Sequence, residues 1–183
     1  MLVLTHGAAG GVGSSDLLAA RQAGLDCGGA VARVLQPYRV AGGRAPGSAV
    51  RQDAAWLEVI AALRARFPEL PLVQGGRSNG ARVACRPARE AGAAGVVALA
   101  FPLHPPGMAD QPDKSRAAEL RLAGAAGIPV LVINGSGDPF GVPEAADADR
   151  LVVLERETHA LGKSRDAIVA AVTSWLAERD FAG

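Results

Sequence analysis

The sequence predicts an α/β protein, a three-layer αβα sandwich built on a six-stranded parallel sheet. Three observations predict it. Six short apolar runs recur along the chain without polar alternation, as strands covered on both faces do. Segments with helical spacing separate them, and strands joined through helices pair in parallel by crossover connections. No shift of composition marks a linker and no internal repeat stands out, so residues 1–183 read as one domain of ordinary size.

The first run is "LVLT" at 2–5, followed by the glycine-rich loop "HGAAGGVGSS". A helix follows, with Leu17, Leu18, Arg21 and Leu25 at helical spacing and Ser14 or Ser15 as its N-cap. "GAVARVL" (29–35) is the second strand and ends before Pro37 and Tyr38. The segment 38–48, "YRVAGGRAPGS", reads as a loop. An amphipathic helix follows it with Trp56, Val59, Ile60, Leu63 and Phe67 on one face, Trp56 serving as a core anchor. "LPLVQG" and "GVVALAF" (95–101) give strands three and four, with a helix after Ser78 between them. A helix around 115–126 leads into strand five, "IPVLVIN" (128–134), and "DRLVVLE" (149–155) is strand six. Ile168, Val169, Val172, Trp175 and Leu176 mark the inner face of a last helix.

Composition narrows the function classes. Nineteen basic side chains face eighteen acidic ones, a formal charge of +1, so no basic face for nucleic acid is expected. No apolar stretch reaches the ~20 residues that cross a membrane, and "MLVLTHGAAG" carries no basic leader. A cytoplasmic protein is expected, with Cys27 and Cys85 as free thiols. The three histidines are far apart in sequence, so no metal is expected. The glycines of "HGAAGGVG" lack the spacing of a dinucleotide fingerprint, and no cofactor is expected.

In such a sheet the loops leaving the strand C-termini form the ligand-binding edge. Strand three hands over to "GGRSNG", a Gly-x-Ser-x-Gly pattern between an apolar strand and a helix. There Ser78 fits a nucleophile elbow, whose small neighbours allow strand and helix to approach closely. Strand five hands over to "NGSGDPFG" with Asp138, and strand six to "RETHALGKS" with His159. A serine, a carboxylate and an imidazole on three loops of one edge are the set needed for nucleophilic catalysis. Asp147, Asp149 and Asp110 lie in polar stretches that read as solvated, which favours Asp138 as the orienting acid. Oxyanion donors are expected from the Asn79 N–H and from Ala8 or Ala9 after strand one. His6 reads as a structural or pocket-wall residue. Tyr38, His104, Met108 and Phe140 are expected on the pocket rim. Arg39 and Arg44 read as solvated, with attraction of an acidic substrate as the second reading.

"THGAAGG", "GGRSNGARVA", "FPLHPPG" and "GSGDPFG", with His159 and the terminal helix, resemble the α/β-hydrolase superfamily over nearly the whole chain. More narrowly they resemble a small group that includes testis-expressed hydrolase-like proteins and a domain of a chromatin-complex subunit, with dienelactone hydrolases a more distant likeness. The resemblance implies a minimal fold lacking the superfamily's first two strands and any large lid. It implies Ser78, Asp138 and His159 as a triad, with Ala8 and Asn79 at the oxyanion position. Asn79 stands where the group has methionine, Ala81 where it often has glycine, and Thr158 where an aspartate commonly precedes the histidine. Pro87 should stop or kink the elbow helix early. The expected activity is metal-free hydrolysis of a small ester, thioester or amide, the partner being a small-molecule substrate. The alternative is a catalytically silent interaction domain of the same fold.

Overall fold

Leu2–Thr5 form β1, and all four residues are buried. In the computed structural model, which describes residues 1–8, 10–179 and 181, five further strands join it: β2 (Val31–Val34), β3 (Val73–Arg77), β4 (Gly95–Leu99), β5 (Val130–Gly135) and β6 (Arg150–Leu154). They make one parallel sheet in the order β2-β1-β3-β4-β5-β6. Thr5 stands opposite both Val34 and Gly76, Gly76 opposite Ala98, and Ala98 opposite Val132. This register aligns the strand C-termini, so the loops that follow them leave from one edge.

Helices cover both faces. α1 (Ser15–Asp26) and α6 (Arg165–Ala177) pack on one face, where Leu17, Ile168 and Trp175 meet Leu4, Val97 and Leu131. α3 (Ala49–Arg66), α4 (Asn79–Cys85) and α5 (Ala117–Ala125) pack on the other, where Trp56, Ile60, Val83 and Leu120 meet Val3, Val96 and Val132. The three-layer sandwich and its lidless six-stranded sheet are as the sequence predicts.

The differences are local and have physical causes. Pro37–Val40 form a one-turn helix, α2, that takes up the start of the expected loop 38–48. Pro37 sits at its start, where a fixed φ favours the helix and the missing N–H costs nothing. β3 runs later than "LPLVQG", through two glycines to Arg77, because Gly75 lies against β4: a Cβ there would come within 2.5 Å of the Val97 carbonyl oxygen. β4 ends at Leu99 instead of Phe101, since Ala100 turns to φ 46°. The inner face of α1 is Leu17, Ala19, Ala20 and Ala23, with Leu25 40% exposed; small residues allow the close approach to α6. Ser14 occupies the N-cap of α1 but its hydroxyl makes no cap bond. Instead the Asp16 carboxylate accepts the Leu17 N–H at 2.8 Å. α4 stops at Cys85, two residues ahead of Pro87. Cys27 and Cys85 are unpaired, and no described helix is long and apolar enough to cross a membrane.

Candidate active site

The turn from β3 to α4 is made by one residue. The Ser78 N–H donates to the Leu99 carbonyl at 2.9 Å, which extends the sheet ladder. Its own carbonyl accepts the N–H groups of Ala81 and Arg82, which starts the helix. Meeting both demands puts Ser78 at φ 52°, ψ −120°, a conformation that costs an L-residue of order 1–3 kcal/mol. Surrounding backbone holds it there. A Cβ on Gly80 would lie 2.6 Å from the Thr5 carbonyl oxygen and 2.7 Å from that of His6, and one on Gly76 would lie 2.6 Å from Thr5 O and from the Gly80 carbonyl carbon. Glycine is required at both positions because α4 begins in contact with the end of β1.

His159 faces Ser78 across this edge. Its Nε2 is 2.8 Å from Ser78 Oγ and its Nδ1 is 2.8 Å from Asp138 Oδ2. An ionised carboxylate only accepts, so Nδ1 carries the proton and Nε2 is left to accept from the serine hydroxyl. The Asp138 side chain is fully buried while 19% of the His159 side chain is exposed. Asp138 is fixed by the Phe140 N–H on Oδ1 at 2.9 Å and by the Asn134 amide near Oδ2 at 3.4 Å. The Phe140 ring stands edge-on to the imidazole, 4.4 Å between centroids. Gly135, the last residue of β5, lets the His159 loop lie on the strand: a Cβ there would be 2.4 Å from the Glu157 carbonyl oxygen.

Arg77 is a component that the sequence reading passed over. Its Nε donates to Asp16 Oδ2 at 2.6 Å and its Nη2 donates to the His159 carbonyl at 2.7 Å. Asp16 is inaccessible and the Arg77 side chain is 17% exposed, so the guanidinium is held by a buried anion while it holds the backbone of the imidazole residue. The available signal was a cation placed among small residues immediately before Ser78; its partner Asp16, 61 residues away, leaves no local signature.

The Ala8 and Asn79 N–H groups have no acceptor among the described residues. Ala9, the other expected donor, lies outside those residues. The loop that carries Ala8 is pinned from below by His6, which is wholly buried. Its Nε2 accepts the Gln36 N–H at 3.0 Å, so Nδ1 is protonated and donates to the Gly7 carbonyl at 2.8 Å. Burial, chiefly, keeps this imidazole below its ordinary pKa; the Arg39 charge adds to the effect and the Gly7 carbonyl opposes it. The Tyr38 hydroxyl donates to the Ala8 carbonyl at 2.9 Å. The Asn79 side chain donates to Gln52 Oε1 at 2.6 Å.

Of the five residues expected around the pocket, Tyr38 lines a cavity beside the elbow and the others do not. His6 is sealed under its loop because both its nitrogens are bonded within the protein. Phe140 packs on His159. His104 is only 8% exposed; its backbone N–H donates to the Phe140 carbonyl, and its buried Nδ1 has no partner among the described residues. Met108 is half-buried in the loop after β4. Among the described residues the Arg39 guanidinium donates to the Gly43 carbonyl alone, at 3.3 Å. Asp147 is 5% exposed, not solvated as its surroundings suggested: it caps the short turn from Glu144 and pairs with Arg121. Among the described residues no group of three or more His, Cys, Asp or Glu side chains could hold a metal ion.

The alpha/beta hydrolase domain family model matches residues 1–162. Among curated proteins, none matches the chain. Solved structures that resemble it include a Xanthomonas campestris protein assigned to the alpha/beta superfamily of hydrolases, 20% identical, TM-score 0.67, covering 97% of this chain and 98% of that one. A Xanthomonas campestris α/β serine hydrolase without lid is also 20% identical, with a TM-score of 0.70 over 97% of this chain and 81% of its own. Est1E from Butyrivibrio proteoclasticus, solved with ferulic acid bound, is 17% identical, TM-score 0.71, over 97% and 88%. At these identities the likeness establishes the fold.

Two predictions follow from the contacts around Ser78. Gly80→Val drives a branched side chain into the Thr5 and His6 carbonyls and displaces α4, moving Ser78 and the Asn79 N–H together. Its melting temperature should fall, and Ser78 should react with a fluorophosphonate about 10²-fold more slowly. Parent-like melting and labelling would show that the elbow is loose. Arg77→Met strands Asp16 and should destabilise the protein by about 3–5 kcal/mol in chemical denaturation. Adding Asp16→Leu should restore most of that stability while Ser78 labelling stays about tenfold or more below the parent, because the His159 carbonyl remains untethered. Labelling that recovers together with stability would reduce Arg77 to a structural ion pair.

Proposed function

Because this chain belongs to the alpha/beta hydrolase domain family, we propose that it is a metal-independent serine hydrolase that cleaves a small carboxylic ester, thioester or amide. The observation that carries this reading is the unbroken hydrogen-bonded series Asp138–His159–Ser78, with both links at 2.8 Å. Ser78 Oγ attacks the acyl carbon as its proton passes to His159 Nε2. Asp138 stabilises the imidazolium without taking a proton. The N–H groups of Ala8 and Asn79, which have no acceptor among the described residues, hold the developing oxyanion, where charge appears only as the reaction proceeds. Collapse of the tetrahedral species breaks the bond to the leaving group, which departs with the proton from His159. Water then attacks the acyl-serine, again deprotonated by His159, and releases the acid.

The chain acts as one domain in this account, in the cytoplasm, without cofactor or nucleic acid. Its motifs support a likeness to the small testis-expressed and chromatin-subunit group and a carboxylesterase-like activity. A silent interaction domain of the same fold would have no use for the strained backbone of Ser78 or for a histidine held within 2.8 Å of its hydroxyl.

Incubation with a fluorophosphonate followed by peptide mapping should place one adduct on Ser78, and Ser78→Ala should melt like the parent and take none. Asp138→Asn should keep the fold and lose roughly 10³–10⁴ in turnover. A folded parent that takes no adduct, or an Asp138→Asn variant within threefold of parent turnover, would contradict the assignment.

A further inference from the structure

A cavity of about 340 Å³ opens beside the elbow, between the end of β2, α2, the turn at 45–47 and the first turns of α3. Val34, Trp56, Val59 and Val83 form an apolar wall. Trp56 is 3% exposed and anchored by its indole N–H on Gln74 Oε1 at 2.9 Å, which fixes its place in that wall. Two further lining residues touch the free N–H carriers directly: Tyr38 bonds the Ala8 carbonyl, and Gln52 bonds the Asn79 side chain. Through Tyr38 and Gln52 the cavity therefore adjoins the two residues that carry the candidate oxyanion donors.

The sheet order decides which part of a substrate it can take. Ser78 follows β3. β4, β5 and β6 lie to one side, and the last two carry Asp138 and His159 into place; β1 and β2 lie to the other side with the cavity. The leaving group must receive its proton from His159 Nε2, so it departs on the His159 side. The remaining substituent of the acyl carbon points past the oxyanion donors, toward β2. We propose that this cavity is the acyl-binding subsite and that the substrates are esters or thioesters of unbranched apolar acids, from butyryl to octanoyl. The assignment rests on the serine hydrolase reading of Ser78. The polar lining groups Gln36, Tyr38 and Gln52 are turned to their protein partners, and Arg51 is exposed, so little beside apolar surface remains for the acyl chain. Mostly apolar lining with a few oriented polar groups is the usual make-up of a small-molecule pocket, and this volume is near the lower end of the range.

The test is a series of p-nitrophenyl esters from acetate to decanoate, with Ser78 labelling by a small fluorophosphonate measured in parallel. In the parent, kcat/KM should rise by about fourfold per added methylene, peak between butyrate and octanoate, and fall for decanoate. Ala55→Phe and, separately, Val59→Phe narrow the cavity from α3. Each should lower the octanoate-to-acetate ratio of kcat/KM at least tenfold while the response to varied alcohols at fixed acyl group stays as in the parent. A flat acyl series in the parent, a preference for acyl chains ending in a carboxylate, or filled variants that change alcohol preference alone would overturn the subsite. Failure of the parent to label at Ser78 would instead remove the hydrolase reading beneath it.

Discussion

α4 begins where β1 ends, with so little space between them that neither Gly76 nor Gly80 has room for a methyl group against the Thr5 and His6 carbonyls. The rest of the site depends on this backbone contact. With the helix pressed against the strand, Ser78 must finish the ladder and open the helix in a single residue, and its φ of 52° is the result. The same contact brings the loop after β1, with the Ala8 N–H, beside the first N–H of α4. Close packing therefore sets the positions of the candidate nucleophile and of both candidate donors together.

Polar groups then secure the parts that packing alone would leave adjustable. Arg82 and Arg86 pair with Glu119 and Asp53 and tie α4 to its neighbours α5 and α3. Arg77 joins α1 through Asp16 to the loop that carries His159. Such buried pairs add little net stability over an apolar replacement, yet losing one partner is expensive. Their consequence is geometric: the imidazole is fixed at its ring by Asp138 and at its backbone by Arg77.

Much of this was legible in the sequence. Strands buried on both faces read as unbroken apolar runs, so "LVLT" and "GVVALAF" showed where two strands lie and the parallel topology, the second run overshooting β4 by two residues. The residues that meet at 2.8 Å, Ser78, His159 and Asp138, were legible because each follows a strand, and a parallel sheet gathers those loops. Contacts between remote side chains were not legible. Asp16 lies in the first turn of a helix, where an acidic residue is ordinary, and only the fold shows its partner. The burial of His6 likewise depends on Gln36, thirty residues later. The pocket residues were expected on the loops after β1, β2, β4 and β5, whereas the apolar cavity that Tyr38 lines lies on the β2 side of the elbow, between α2 and the first turns of α3.

The central claim is that chemistry passes through a covalent bond to Ser78. Rapid mixing of the protein with an excess of an activated ester, read by alcohol release and by intact-protein mass from quenched samples, tests it most directly. The account predicts a burst of one alcohol per chain, accompanied by a mass gain equal to the acyl group and mapped to Ser78; Ser78→Ala should show neither. Turnover without an acylated species in the parent, or with the acyl group on another residue, would contradict it.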